Sequence, residues 1–521
     1  TFRTEHGAVR VTDALCLQVG GLLPWVELAR RVEGLAGEVA LRWRVEPRFD
    51  WGRATPRISR RNGVAVADCD GLQLAVHAWD AGDPAVEDGA VSGAFTARAR
   101  ARALLTLCCT HEQPIPMPAR DEVERRLDQT VEHWRRWLDD CCYDGDWEEE
   151  VHRSALALKL LVYAPSGAIA AAPTTSLPER LGGDKNYDYR YAWVRDTAFT
   201  LDALMRLGLP AQVHESFSFL LRAVRHTAPD LHPFYSLEGH APERSEELPL
   251  RGYRDSRPVR YGNAAREQLQ LGCWGDLLET ADLYAGHGNA LDESTGSLLA
   301  GCLDRLCLIW RDEDSGIWEL EDHRHWTSSK LGVWLAFDRG LKLAGLGQLP
   351  DRHADRWGEE RDEVRSFVEE RCWSDELGAY AAHADAADAV DAAVLRGARM
   401  GWAAVSPERF ARTIDVVRER LDAGGPLLYR TTADVGREGA FVACSFWLVE
   451  ALARTGRVPE ARQLMDELLA LRNDVGLYAE EIDPGSRAFL GNFPQGLSHL
   501  ALISAAGALA DAERARREAR A

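Results

Sequence analysis

The sequence predicts a mainly α chain in two parts, an (α/α)6 toroid domain preceded by an N-terminal β-sandwich. Three observations carry that prediction. The chain has 521 residues, more than one hydrophobic core serves, so at least two domains are expected. Its first stretch alternates or runs apolar between Gly, Asp and Pro breaks, which is strand patterning. After that the apolar period becomes helical, and roughly twelve helical segments follow, many opened by Asp, Ser or Thr and closed by Gly.

Taken in order, residues 8–18, 39–48, 71–79 and 94–109 read as strands and give a sandwich domain over residues 1–113. The Pro-bearing segment HEQPIPMPAR opens a helical linker, 114–145, whose helix has Val123, Leu127, Val131, Trp134 and Trp137 at helical spacing. Residues 146–521 supply the helices. Paired at that number they make six hairpins, each with long loops on which function is expected to sit. The stretch shows no fixed-period repeat, so a closed ring is preferred to an open solenoid. The sequence starts at Thr1 and is expected to be a fragment whose true N-terminus is missing.

The composition, 46% hydrophobic and 28% charged, is that of a globular protein. A formal charge of -20 disfavours nucleic acid and anionic membrane surfaces as partners and suits a neutral ligand. Seventeen Trp are available both to a core and to the apolar faces of sugar rings. The eleven Cys are odd in number, with vicinal pairs at Cys108-Cys109 and Cys141-Cys142 and no C-x-x-C, so neither a disulfide framework nor a zinc ribbon is indicated. With no apolar run long enough to span a membrane and no signal-peptide pattern, a bacterial cytoplasmic location is expected.

Three stretches put Trp, Arg and carboxylates beside helix breaks. In NYDYRYAWVRD, residues 186–196, Asp196 is placed to N-cap the following helix; Arg195 and Asp196 together can also grip two hydroxyls of a sugar, with Tyr189 and Trp193 as stacking faces. In SGIWELEDHRHWTSSK the Trp318-Glu319 pair precedes a helix that Thr327 or Ser328 can cap. A carboxyl held against an indole loses hydration and its pKa rises, as a general acid requires. His323 and His325 lack a third ligand at metal-site spacing, so no metal is expected. In GLYAEEIDPGSRAFLGNFPQGLSHL the pair Glu480-Glu481 precedes a Pro-Gly turn. Adjacent side chains point apart, so at most one faces a given cavity, and spacing does not say which.

The combination YDYRYAWVRD, SRPVRYGNAAREQLQ, GIWELEDHRHWTSSK, EGAFVACSFWLVEAL, GLYAEEIDP and LGNFPQGLSH, in that order, closely resembles glycoside hydrolase family 15, the glucoamylase-like enzymes and bacterial trehalases. The resemblance implies a bacterial-type sandwich joined to an (α/α)6 barrel and an exo-acting, inverting α-glucoside hydrolase with no cofactor. It assigns Glu319 as general acid and Glu480 as general base, with Glu481 not catalytic. Trp193, Arg195 and Asp196 fall on the subsite for the non-reducing glucose, with Tyr189 at the reacting centre. Arg257 and Arg260 fall on a pocket-lining segment, Trp318 beside the acid, and Arg430 on an arginine reaching the scissile bond. Inversion asks for carboxyls roughly 6.5 to 9.5 Å apart, leaving room for the attacking water. In LQLGCWGD, Gly272 stands where relatives usually carry Asp, followed by Cys273 and Trp274, a departure expected to alter specificity. Malto-oligosaccharides released as β-glucose from the non-reducing end are placed first as substrate, α,α-trehalose second, and an inactive glucan-binding protein a remote third.

Overall fold

The computed structural model describes residues 1–18, 21–242 and 244–519, and its N-terminal unit, Thr1–Asp140, is organised by one long strand. The strands are β1 (Phe2–Thr4), β2 (Gly7–Leu15), β3 (Val26–Val45), β4 (Arg57–Arg61), β5 (Val64–Cys69), β6 (Leu72–Trp79), β7 (Ala85–Glu87), β8 (Ala90–Arg98) and β9 (Arg102–His111). They form one antiparallel sheet in the order β1-β2-β3-β9-β6-β5-β4, with β8 on the second half of β3 and β7 on β8. β3 changes partner midway, pairing residues 26–33 with β9 and residues 38–45 with β8. Gly34 and Gly37 make the bend possible. A Cβ on Gly34 would fall 1.9 Å from the carbonyl oxygen of Arg98, and Gly37 has φ +58°. Val32 and Val39, from the two halves of β3, then meet in one core with Val9, Ala97 and Leu105.

The helix predicted within the linker, α1 (Arg120–Asp139), belongs to this unit instead. Its Val123 and Leu127 pack on Ala29 and Leu104. Arg126 gives two hydrogen bonds to Glu27 on β3, at 2.9 and 2.7 Å, and both residues are buried.

The second unit, Cys141–Ala521, is helical: α2 (Glu148–Leu161), α3 (Val194–Arg206), α4 (Pro210–Arg225), α5 (Gly272–Gly286), α6 (Glu293–Ile309), α7 (Thr327–Gly345), α8 (Ala354–Arg371), α9 (Gly397–Met400), α10 (Trp402–Val405), α11 (Pro407–Arg420), α12 (Val442–Arg454), α13 (Val458–Leu469) and α14 (Gly496–Glu518). Helices α3, α5, α7, α9, α12 and α14 touch in sequence and α14 returns to α3, so the cycle closes. Members of that cycle are buried on nearly every side, α12 from Val442 to Ala453 without interruption. Such a helix has no polar face to give to water. Polar faces belong to α4, α8, α11 and α13, which pack outside it.

Two glycines set the closest approach. A Cβ on Gly275 of α5 would lie 2.3 Å from the carbonyl oxygen of Gly332 on α7. The start of the inner helices differs from expectation. Trp193 is the N-cap residue of α3 and Trp326 that of α7, neither with a side-chain cap, so Asp196, Thr327 and Ser328 are not caps. Side-chain caps occur where the first turn is not recruited elsewhere, as at Asp292, which accepts from Thr295 N–H at 3.1 Å before α6. No described helix is long and apolar enough to cross a membrane.

Two stability predictions follow from these contacts. Glu27→Ala leaves Arg126 buried without its anion and should cost roughly 3 to 5 kcal/mol, read as faster hydrogen exchange of β3 and β9 amides. Gly275→Ala should cost roughly 1 to 3 kcal/mol through overpacking and lower the denaturation midpoint of the helical unit.

Candidate active site

Loops between the helices of the second unit enclose a cavity of about 420 Å³. Tyr189, Trp193, Arg195, Asp196, Arg260, Trp318, Glu319, Arg430 and Glu480 all line it. Segments far apart in sequence meet here because each loop leads into or out of a helix of the closed cycle. Arg257 does not line the cavity: it is exposed, while Arg260, three residues on, has turned inward through the ladder of Val259–Tyr261 with Glu246–Leu248. Arg260 Nη1 donates to the carbonyls of Asp184 and Asn186, both at 3.1 Å, and its guanidinium lies over the Tyr187 ring at 5.5 Å.

On one wall stands Glu319, in a left-handed backbone conformation with φ 59°. The loop that carries it is fixed by Asp314, whose Oδ2 accepts from Leu271 N–H at 3.0 Å, Gly316 N–H at 3.3 Å and Ser329 Oγ at 2.7 Å. Buried Lys330 donates to the carbonyls of Trp310 and Asp312 at the start of the same loop. Gln268 Nε2 donates to the Glu319 carbonyl at 2.9 Å.

The indole in contact with Glu319 is Trp193, not its sequence neighbour. Trp193 Nε1 donates to Glu319 Oε1 at 2.6 Å. Trp318 faces the cavity but gives its own Nε1–H to Asp391 at 2.8 Å, with its ring against Phe441 and Trp447. Burial raises the Glu319 pKa, and the Arg195 guanidinium and the Trp193 N–H oppose the rise. Arg195 in turn donates to Asp196 Oδ1 at 2.6 Å and to the Ile317 carbonyl at 3.0 Å. The second Asp196 oxygen is buried and unpartnered, left for an incoming donor.

Glu480 lines the same cavity. Its backbone is held by a three-stranded ladder of Ala440–Phe441, Glu481–Ile482 and Phe489–Leu490, with Glu480 N–H on the Asn492 carbonyl at 3.2 Å. Ser498 Oγ binds the Ala479 carbonyl at 2.8 Å and His499 Nε2 accepts from Tyr478 N–H at 3.2 Å, so the GLSH motif positions the two residues before Glu480. The Tyr189 hydroxyl favours the charged form of the Glu480 carboxyl, whose Oε2 has no hydrogen-bond partner. A Cβ on Gly491 would come within 2.5 Å of that oxygen, which accounts for glycine there. Burial first, then the nearby Glu179 charge, raises the Glu480 pKa; the Tyr189 O–H and Arg430 oppose it. Glu481 points the other way, with its Oε2 on Gly439 N–H at 3.1 Å.

The structure adds lining residues that the sequence did not single out, among them Glu179, Lys185, Gln268, Asp434 and Gln495. Glu179 is buried and binds Arg430 Nη2 at 3.0 Å. Its only signal in the sequence is a charged residue after Pro178 in a stretch of Ser, Thr, Pro and Gly. Gly272 does not touch the cavity. It lines a void of about 20 Å³ behind Arg195, and a Cβ there would meet nothing within 4 Å. His323 and His325 take no part in a ligand cluster; Glu179, Glu438 and Glu481 are the group of three possible ligands found among the described residues.

Residues 145–507 match the model of glycosyl hydrolases family 15. The trehalase of Mycolicibacterium smegmatis is 38% identical over 397 residues, 74% of this chain and 59% of the relative. That of Thermoplasma volcanium is 34% identical over 394 residues, 74% and 62%. The chain thus spans about three fifths of the length of these relatives. A solved glucoamylase from Saccharomycopsis fibuligera aligns with a TM-score of 0.53 at 13% identity, over 73% of this chain and 96% of that one, a likeness of fold. With the family's segment spanning every loop that lines the cavity, the chain belongs to the glycosyl hydrolases of family 15.

Proposed function

We propose that this chain is an inverting α-glucosidase acting on α,α-trehalose, with Glu319 as general acid and Glu480 as general base. The observation that carries the reading is the placement of two buried carboxyls on one small cavity, each in a different hydrogen-bonding environment. On the sequence alone malto-oligosaccharides rank ahead of trehalose; the trehalase names of relatives at 34 to 38% identity reverse that order. A cavity of about 420 Å³ lies at the small end of ligand sites, which suits a disaccharide better than a long glucan. The ring of helices is read as the (α/α)6 toroid, and the N-terminal sheet as the sandwich.

In this reading Arg195 and Asp196 take hydroxyls of one glucose and the Tyr189 and Trp193 rings wall its apolar face. Protonated Glu319 gives its proton to the glycosidic oxygen as the C1–O bond breaks. Ionised Glu480 takes a proton from the water that attacks C1 from the opposite side, through an oxocarbenium-like transition state. The glucose attacked leaves as the β anomer, and the other unit departs as the α anomer. Arg430 and Arg260 are placed to hold that second unit.

Three measurements test the proposal. Proton NMR during early turnover of trehalose should show α- and β-glucose in equal amounts, with maltotriose cleaved more slowly; α-glucose alone would mean retention and sink the roles given. Second, Glu319→Gln and Glu480→Gln should each lose at least about 100-fold in kcat. Third, Trp193→Phe removes an N–H that favours ionised Glu319. The pKa of the acid should therefore rise, moving the alkaline limb of the kcat/KM profile to higher pH. An unmoved or lowered limb would mean that Glu319 does not titrate there.

A further inference from the structure

Behind Glu480 the wall of the cavity contains more carboxyls than cations. One carboxylate oxygen from each of Glu179, Glu438 and Glu481 lies within 4.8 Å of the other two. Arg430 Nη2 sits among them, 3.0 Å from Glu179 Oε2, in contact with Glu438 Oε2 and 3.8 Å from Glu481 Oε1. Lys185 pairs with the other Glu438 oxygen. Two cations therefore match Glu179 and Glu438, and no cation remains for Glu481, which is fully buried on a strand with 0% exposure.

Two oxygens in this group have no hydrogen-bond donor: Glu179 Oε1 and Glu481 Oε1, both buried. Leaving two buried, charged acceptors unpaired in one group is costly. A single proton balances the charge of the group and supplies it with an O–H donor.

We propose that Glu481 is a neutral carboxylic acid whose O–H is given to Glu179, and that this positioning residue leaves Glu480 as the ionised carboxyl of the pair. The inference rests on the acid–base reading above. The groups facing Glu481 are Glu179, Arg430, Glu438 with its Lys185, and Asp434 from the loops, its neighbour Glu480 with Tyr189, and Cys444 on α12. Burial, then the charge of Glu179, also drives the Glu481 pKa well above the usual carboxylate range. A charged Glu481 would disfavour a second charge on the adjacent Glu480; a neutral one removes that obstacle while still holding Glu179 and, through it, Arg430.

The first test needs no substrate, so its outcome is separate from that of the substrate assignment. Infrared spectra of the whole protein at neutral pH should contain a protonated-carboxyl C=O band, sensitive to deuterium exchange, that Glu481→Gln removes. Kinetics on trehalose supply the second. Glu481→Ala should lower kcat/KM by about tenfold or more. Glu481→Gln, neutral and still an N–H donor, should restore most of it, with the acid limb of the pH profile within about half a unit of wild type. Loss of the rescue, absence of the band, or a downward shift of about one unit or more in that limb for the Gln variant would overturn the proposal. So would a stoichiometric divalent ion found by elemental analysis and lost in Glu481→Gln.

Discussion

One carboxylate, Asp314, joins the parts of the helical unit that must agree for the site to exist. Its three hydrogen bonds reach the residue before α5, the turn that leads to Glu319, and the first turn of α7. Its backbone carbonyl takes the Nε1–H of Trp326 at 3.0 Å. A wholly buried Asp is expensive unless its acceptors are filled; here three donors from three segments fill Oδ2, while Oδ1 has no partner and burial raises the pKa to about 6. The cost of burying the charge is thereby tied to the correct placement of all three segments. Helices α5 and α7 are already forced together at Gly275 and Gly332, so the loop that carries Glu319 is stretched over a fixed base. Its left-handed φ at a non-glycine position is sustained by that surrounding structure rather than by local preference.

The cavity departs from the usual rule that buried charges come in balanced pairs. Near Glu319 the balance is kept by Arg195 and an indole N–H. Near Glu480 a tyrosine hydroxyl and a shared arginine serve several carboxyls together. The two sides therefore differ in kind: single, directed donors hold one carboxyl, while a collective electrostatic field acts on the other. Burial raises the pKa of both carboxyls, that of Glu480 to about 8.

Much of this was legible in the chain. Helical periodicity located the long helices, and the motifs found all the cavity residues named from them except Arg257. What escaped were relations through space. The neighbour of Glu319 in sequence is Trp318, yet left-handed backbone at Glu319 turns the side chain toward Trp193, 126 positions away. Arg260 lies in a short strand and faces the cavity while Arg257, before that strand, is exposed, which a motif match cannot resolve. Cap residues were misassigned because the first turns of α3 and α7 serve the site: Asp196 is engaged by Arg195 and Thr327 by the Ala381 carbonyl. Glu179 was missed for the same reason, since a single Glu after Pro carries no periodic signal until Arg430 is brought to it.

The bend in β3 has a consequence for how the N-terminal unit comes into being. Val26 pairs with Cys109 and Val45 with Val91, so the central strand, which has β2 beside residues 28–37 from the start, finds its other partners only after a long intervening segment. During synthesis at about 5 to 20 residues per second, residues 26–45 wait several seconds before β8 and β9 emerge. In that interval a twenty-residue strand with alternating apolar side chains is an open edge for any neighbouring chain. The Arg and Glu residues that punctuate it, from Glu27 through Arg30, Arg31 and Glu33 to Arg42 and Arg44, charge that edge while it waits and so guard the nascent protein against aggregation.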